Sequence, residues 1–225
     1  MIFITGDTHC PIDIHKLNKA NFDDSNMTKD DYLIICGDSG LVWEGRDRED
    51  EYWQKWMNMK KYTTLFVDGN HENHNKLDEL EVEIWNGGKI HKLKDSLIHL
   101  MRGQVYDING LKFFTMGGAE STDKEYRKEN ISWWSRELPS EDEYNEALTN
   151  LDKNNWKVDY VITHAAPDNI QYRLCPWYTH NRLSNFLFTV DNALTFKQWY
   201  FGHYHDDRII DDQHTLIYSD IKQIL

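Results

Sequence analysis

Three short apolar runs, Ile2-Phe3-Ile4, Tyr32-Leu33-Ile34-Ile35-Cys36 and Thr64-Leu65-Phe66-Val67, constrain this chain most. Each stops abruptly, in turn at Thr5-Gly6-Asp7-Thr8-His9, at Gly37-Asp38 and at Asp68-Gly69-Asn70-His71. Runs this short, rich in β-branched residues and bounded by Gly, fit interior strands better than helices. Their repetition predicts parallel strands with polar groups at their carboxyl ends, where open sheets bind ligands.

The connections agree. Arg48 to Met59 carries Tyr52, Trp53, Trp56 and Met57 at helical spacing, which predicts an amphipathic helix on a right-handed crossover. A further helix is expected over Asn73 to Leu80. Beyond Val82 the runs shorten around Asn86-Gly87-Gly88 and Asn109-Gly110, hairpin signals that predict a second, partly antiparallel sheet from that point. Ser140 to Glu143, after Pro139, reads as a capping box opening a helix to about Asn154, with Tyr144, Ala147, Leu148 and Leu151 on one face. Strands are then expected at Val158 to Thr163, ending in His164, and at Trp199 to Phe201, ending in Gly202-His203-Tyr204-His205. The segment Thr215 to Tyr218, with Ile221 and Ile224, is expected to close the sheet. No repeat or linker interrupts the chain, so residues 1–225 are expected to form one α/β domain with two sheets and outer helices.

With 225 residues, 40% of them hydrophobic, the chain can bury one sizeable core. Its formal charge of −13 repels a long nucleic acid, whereas a small phosphorylated substrate stays accessible if bound cations reverse the local field. MIFITGDTH lacks the pattern of a signal peptide, and no window approaches the 18 or so apolar residues of a membrane span, so a cytoplasmic protein without membrane contact is expected. Cys10, Cys36 and Cys175 form no close pair; Cys36 reads as a small buried hydrophobe, and Cys10 as structural despite following His9.

Five run ends carry Asp7 and His9, Asp38, Asn70 and His71, His164, and His203 and His205. One histidine after a strand is usually structural, but this joint pattern is not. The i,i+2 spacing of Asp7 with His9, and of His203 with His205, brings both side chains to one side of an extended backbone. Carboxylate plus imidazole donors suit Zn, Fe or Mn. The donors outnumber what one tetrahedral ion needs, and Asp38 has two oxygens with which to bridge. Two ions about 3.5–4 Å apart can clamp a phosphoryl group and lower the pKa of a shared water, so the residues alone read as a two-metal hydrolase.

The ordered motifs Asp-x-His (Asp7, His9), Gly-Asp (Gly37, Asp38), Gly-Asn-His-Glu (Gly69 to Glu72), a lone His after a strand (His164) and Gly-His-x-His (Gly202 to His205) resemble those of the calcineurin-like metallophosphoesterases. The resemblance implies a four-layer αββα sandwich with two mixed β-sheets. It implies that Asp7, His9 and His205 hold one divalent ion with Asp38, and that Asn70, His164 and His203 hold a second, Asp38 bridging. Mn is the expected metal, with Fe, Zn, Ni and Mg as further candidates. His71 and Asp38 become the catalytic residues: His71 acts as general acid or transition-state hydrogen-bond donor, while a metal-bridging hydroxide attacks phosphorus in line. The implied activity is hydrolysis of a phosphomonoester, phosphodiester or nucleotide. The alternatives are a serine/threonine-type phosphoprotein phosphatase and a non-catalytic metal-containing scaffold or binding subunit.

The second motif departs from the family pattern, continuing as Ser39-Gly40-Leu41-Val42-Trp43-Glu44-Gly45. Leu41 stands where relatives commonly carry the carboxylate that orients the His71 equivalent, and Val42 where protein phosphatases often carry Arg. Both weigh against a phosphoprotein substrate despite Glu72. Glu44 is a candidate to orient His71, and Arg46, Arg102, Lys124 and Arg127 are candidates to contact phosphate, the last two in the Gly117 to Arg127 segment. Trp133-Trp134 reads as packing or as a base-stacking pair.

Overall fold

The computed structural model describes residues 1–43 and 47–225. The three opening runs form β1 (Ile2–Thr5), β2 (Tyr32–Ile35) and, after helix α1 (Asp47–Asn58), β3 (Thr63–Phe66), all parallel. Helix α2 (His74–Asp78) leaves β3, its amino end capped by the Asn73 side chain, which accepts from the Lys76 amide at 3.1 Å. It is shorter than expected because the chain turns at once into β4 (Val82–Trp85), followed by β5 (Gly88–Lys94) and β6 (Leu97–Leu100).

Here the expectation of a new sheet from Val82 onward is corrected. Strands β4 to β6 extend the first sheet, and β6 lies parallel beside β3. Turn residues specify a hairpin but not the sheet edge it joins. That choice falls to Leu97, Ile98 and Leu100, all buried against β3. The second sheet starts at the hairpin of β7 (Gln104–Ile108) and β8 (Leu111–Met116), whose Asn109 and Gly110 take the φ of 54° and 77° that suit its tight turn.

Helix α3 (Glu141–Lys153) begins at the expected capping box: Ser140 Oγ accepts from the Glu143 amide at 3.3 Å, and Glu143 accepts from the Ser140 amide at 2.7 Å. Tyr144, Ala147 and Leu151 are buried, whereas Leu148 falls beside that stripe and is exposed. There follow β9 (Tyr160–Thr163), α4 (Asp168–Leu174), α5 (Arg182–Ala193), β10 (Gln198–Phe201), β11 (Arg208–Ile209), β12 (His214–Leu216) and β13 (Ile221–Gln223). The closing segment divides: β12 pairs with β10, and β13 crosses over to pair antiparallel with β1. The sheets run β13-β1-β2-β3-β6-β5-β4 and β11-β12-β10-β9-β8-β7.

Three apolar clusters make this a four-layer αββα sandwich. Ile2, Ile4, Ile34 and Leu65 meet Tyr106, Phe113, Ile162 and Tyr200 between the sheets. Leu33, Ile35 and Phe66 pack outward on Ile14, Leu17, Met57 and Leu77, and Phe114, Val161 and Trp199 pack on Ala147, Leu183 and Leu187 of α3 and α5. Each such buried Leu, Ile or Phe stabilises the fold by about 1.5–3 kcal/mol. The central strands β1, β2, β3, β9 and β10 are packed on both faces, so groups that must meet a ligand are carried by the loops beyond their carboxyl ends, which explains where the site lies. Among the described residues no helix is long and apolar enough to cross a membrane.

Candidate active site

The carboxyl ends of β1, β2 and β3 meet those of β9 and β10, and the loops beyond them hold every residue of the five motifs. The backbone there is strained: His9, Asp38, His203 and His205 have φ of 33°, 43°, 72° and 49°. Left-handed conformations at non-glycine residues cost of order 1 kcal/mol or more each, and they persist where surrounding contacts over-determine them. Two glycines permit the close approach. A Cβ on Gly69 would lie 2.0 Å from Asp38 Oδ1, and one on Gly202 2.2 Å from Asp7 Oδ1.

Cross-loop hydrogen bonds lock the ends together. The His203 amide donates to both Asp7 oxygens at 3.1 and 3.2 Å, the His71 amide to Asp38 Oδ1 at 2.8 Å, and His164 Nδ1 to the Cys36 carbonyl at 2.7 Å. Glu72 is fully buried and joins two loops: it accepts from the amides of Ser39 at 2.6 Å and Gly69 at 2.6 Å, and from Ser39 Oγ at 2.9 Å. Burial and the neighbouring Asp38 raise its carboxyl to about 7.

Two donor groups result, Asp7 with His9 and His205, and Asp38 with His164 and His203, the ligand-type atoms of each lying within 4.8 Å of one another. Asn70 Oδ1 joins the second at 3.3 Å from His164 Nε2, and its amide donates to Ser121 Oγ at 3.1 Å. Asp38 Oδ2 lies 3.2 Å from His164 Nε2 and 3.4 Å from His9 Nε2, so one oxygen touches a histidine of each group. The electrostatics favour cations. Burial opposes charge on His164, His9 and Asp38, yet Asp38 and Asp7 raise His164 to about 10 and His9 to about 9, while Asp38 itself falls well below the usual carboxylate range. His203, buried beside His164, falls to about 4. Paired carboxylates surrounded by imidazoles, one already neutral, fit divalent ions, which bind such donors in their deprotonated form.

His71 stands outside both groups. Its ring packs on Arg127, with Nη1 3.2 Å from Nδ1 and Nη2 3.4 Å from Nε2, and on Trp43 at a centroid distance of 6.1 Å. Burial lowers its pKa, and Arg127 adds to the effect. Arg127 is held by Asp123 at 2.7 Å and by the Ser132 carbonyl at 3.0 Å. It lines a cleft of about 570 Å³ that includes Asp38, Asn70, His71, His203 and His205.

The other phosphate candidates lie elsewhere. Arg102 is buried on Asp68 at 2.6 Å, because that inaccessible carboxylate needs a fixed counter-charge. Lys124 is tied to Glu137 at 2.8 Å and Glu120 at 3.0 Å. Arg46 and Glu44 lie outside the described residues. Leu41 and Val42 are buried in the outer apolar cluster, Cys10 packs there too, and Trp134 is buried against Trp43 at 5.2 Å rather than offering a free face. Sequence reasoning missed Asp13, which accepts from His9 Nδ1 at 2.8 Å and from the Tyr218 hydroxyl at 3.0 Å; its i,i+4 offset from His9 was the available signal. It also missed Trp43 and the loop-joining role of Glu72.

No curated protein matches the chain. The family comparison does carry a result: the two donor groups fall within residues 1–207, which match the model of the calcineurin-like phosphoesterases. The chain therefore belongs to the calcineurin-like phosphoesterase family and is a dinuclear, divalent-metal-dependent phosphoesterase.

Proposed function

We propose that the enzyme hydrolyses a small phosphorylated substrate, with Asp7, His9 and His205 holding one ion together with Asp38, and Asn70, His164 and His203 holding the other, Asp38 shared. The observation that carries this division is Asp38 Oδ2, within 3.4 Å of a histidine nitrogen from each donor group. When bound, the ions supply Lewis acidity to the phosphoryl oxygens and lower the pKa of water. The mixture of carboxylate, amide and imidazole favours Mn, with Fe, Zn, Ni and Mg as competitors. Three free cysteines, two of them buried, suit the cytoplasm.

The chain's own residues do the rest. Asp13 engages His9 Nδ1 and the Cys36 carbonyl engages His164 Nδ1, leaving each Nε2 as the donor atom. Ser121, itself held by Glu137 at 2.7 Å, orients the Asn70 amide so that its carbonyl points toward His164. Arg127 places a fixed charge beside His71 for a phosphate dianion, and the His71 imidazole donates an N–H to the oxygen that gains charge in the transition state.

Chelator-stripped protein, reloaded with each metal and assayed on an aryl phosphate, tests this reading. Return of turnover with two ions per chain supports it. One ion per chain, or two ions without turnover on any phosphomonoester, phosphodiester or phosphopeptide, overturns it, the latter in favour of a binding scaffold. Preference for phosphopeptides would reassign the substrate class.

A further inference from the structure

We infer that the cleft beyond the phosphoryl site is a stacking subsite for a nucleoside, built on Tyr178 and Tyr204, so that the substrate is a nucleoside monophosphate. The inference rests on the phosphoesterase reading above and adds the leaving group to it.

The cleft is larger than a phosphoryl group needs; about 570 Å³ lies in the range of pockets that enclose whole small molecules. It continues from Asn70 and His71 to Gln171, Tyr178, Thr179, Asn181 and Tyr204. Tyr204 directly follows His203, so this wall is covalently tied to the donor groups. Its hydroxyl accepts from the Ala166 amide at 3.4 Å, and its ring meets His203 edge-on at 5.0 Å. Tyr178 lies 5.3 Å from Tyr204 at a 45° tilt and remains 40% exposed, which leaves part of its ring uncovered at the cleft wall. Trp177, next in the chain, is 88% exposed.

Hydrogen bonds position this loop. Gln171 Nε2 donates to the Thr179 carbonyl at 3.0 Å, the Tyr178 amide to the Cys175 carbonyl at 3.2 Å, and Asn181 caps α5 by accepting from the Ser184 amide at 2.9 Å. Charge is divided along the cleft. Arg127, Glu120 and Asp123 lie on the phosphoryl side, whereas the five residues of the far end carry amides, hydroxyls and rings without formal charge. Among the described residues, Arg127 is the one Lys or Arg lining the cleft. Among the described residues, a leaving group with further phosphates would enter this far end without a Lys or Arg to meet it. A flat, neutral group with hydrogen-bonding edges, spaced from phosphorus by a sugar, meets a ring face and amide partners, and base–aromatic stacking tolerates any base.

The test compares kcat/KM for adenosine monophosphate and ribose 5-phosphate in the Mn-loaded enzyme, and binding of adenosine to the metal-free protein by calorimetry. Wild type should prefer the nucleotide by about 10- to 100-fold, the range of one stacking contact. Tyr178→Leu should lower that ratio about tenfold or more and weaken adenosine binding in step, while Tyr178→Phe keeps both. Tyr178 sits at a partly exposed loop position, so both variants are expected to fold, and circular dichroism checks this. Equal use of ribose 5-phosphate, a Tyr178→Leu ratio equal to wild type, or a phosphopeptide preferred over the nucleotide overturns the subsite. Failure of the phosphoesterase reading looks different: no phosphoester is turned over, yet adenosine still binds the metal-free protein through Tyr178. Absence of adenosine binding overturns the subsite whatever the catalytic result.

Discussion

Two buried polar clusters flank the exit of β3, and they neutralise their carboxylates by different means. Asp68 accepts from Arg102 Nε at 2.9 Å and Nη2 at 2.6 Å, and from His99 Nε2 at 3.1 Å. Arg102 also donates to the carbonyls of Arg136 at 2.9 Å and Glu137 at 3.2 Å. Burial works against the Asp68 charge, yet Arg102 and His99 hold its carboxyl well below the usual range. Asp7 and Asp38 are as deeply buried, but among the described residues their ion-pair partners are histidines. Arg102 cannot give up its proton, whereas a histidine can. The first cluster is therefore a permanent brace between β3 and the second sheet, and the second is one whose protons can yield to metal ions.

The sharpest way to break this contrast is Asp38→Asn. Removing the shared charge should lower kcat/KM by about 10³-fold or more, since it weakens the hold on both ions. Stability of the metal-free protein should fall, but by less than for the Arg102 variant below, because the substitution removes the charge that His9 and His164 face and these imidazoles can shed their protons in response. A large fall in the chelated protein's melting temperature would make the site a brace as well. His71→Ala should cost about 10²- to 10³-fold in turnover at unchanged metal content, the range for one preorganised donor. A loss of similar size on aryl and alkyl phosphates supports donation to a phosphoryl oxygen; a loss confined to poor leaving groups makes His71 the leaving-group acid.

Arg102→Met addresses the other cluster. It leaves Asp68 buried without its cation and should destabilise the fold by about 3–5 kcal/mol in denaturant titrations, with turnover of the folded fraction near wild type at low temperature. Lost turnover without lost stability would merge the two clusters into one functional unit.

The smallest effect concerns His91, which stacks on His99 with their Nδ1 atoms 3.1 Å apart. Burial and the adjacent His99 lower its pKa to about 4. Unfolded, it takes a proton near 6.5; folded, only near 4, so its contribution is complete above about pH 6.5 and is lost as pH falls toward 4. Between pH 7 and 5 wild type should lose about 1–2 kcal/mol more stability than His91→Gln, measured by urea unfolding of the chelated protein. Parallel pH profiles would remove His91 from the Asp68 brace.

The grouping of candidate donors at the strand ends is legible because its signal is local. A run of two to five apolar residues, a stop, and a donor at a set offset can be read from neighbouring positions, and the hairpin at Asn109-Gly110 and the capping box at Ser140 are local in the same sense. What failed were statements about distant partners. Arg102 and Arg127 look alike in the sequence as cations in turn segments between elements, yet one is committed to Asp68 and the other packs on His71, 56 positions away. The Asn86-Gly87 turn signals the β4–β5 hairpin, but nothing nearby in the sequence says that it extends the first sheet.

Which residue types stand at the end of each strand can be read along the chain, and with them the chemistry of two divalent ions and a phosphoester. Packing sets the rest: Asp38 Oδ2 touches histidines of both groups, His9, Asp38, His203 and His205 adopt left-handed backbone, and Arg127 rather than Arg102 faces the cleft. The difference is one of range. Propensity, turn chemistry and periodicity act over a few residues, whereas the neutralisation of a buried charge depends on which groups packing brings within about 4 Å, whatever their separation along the chain.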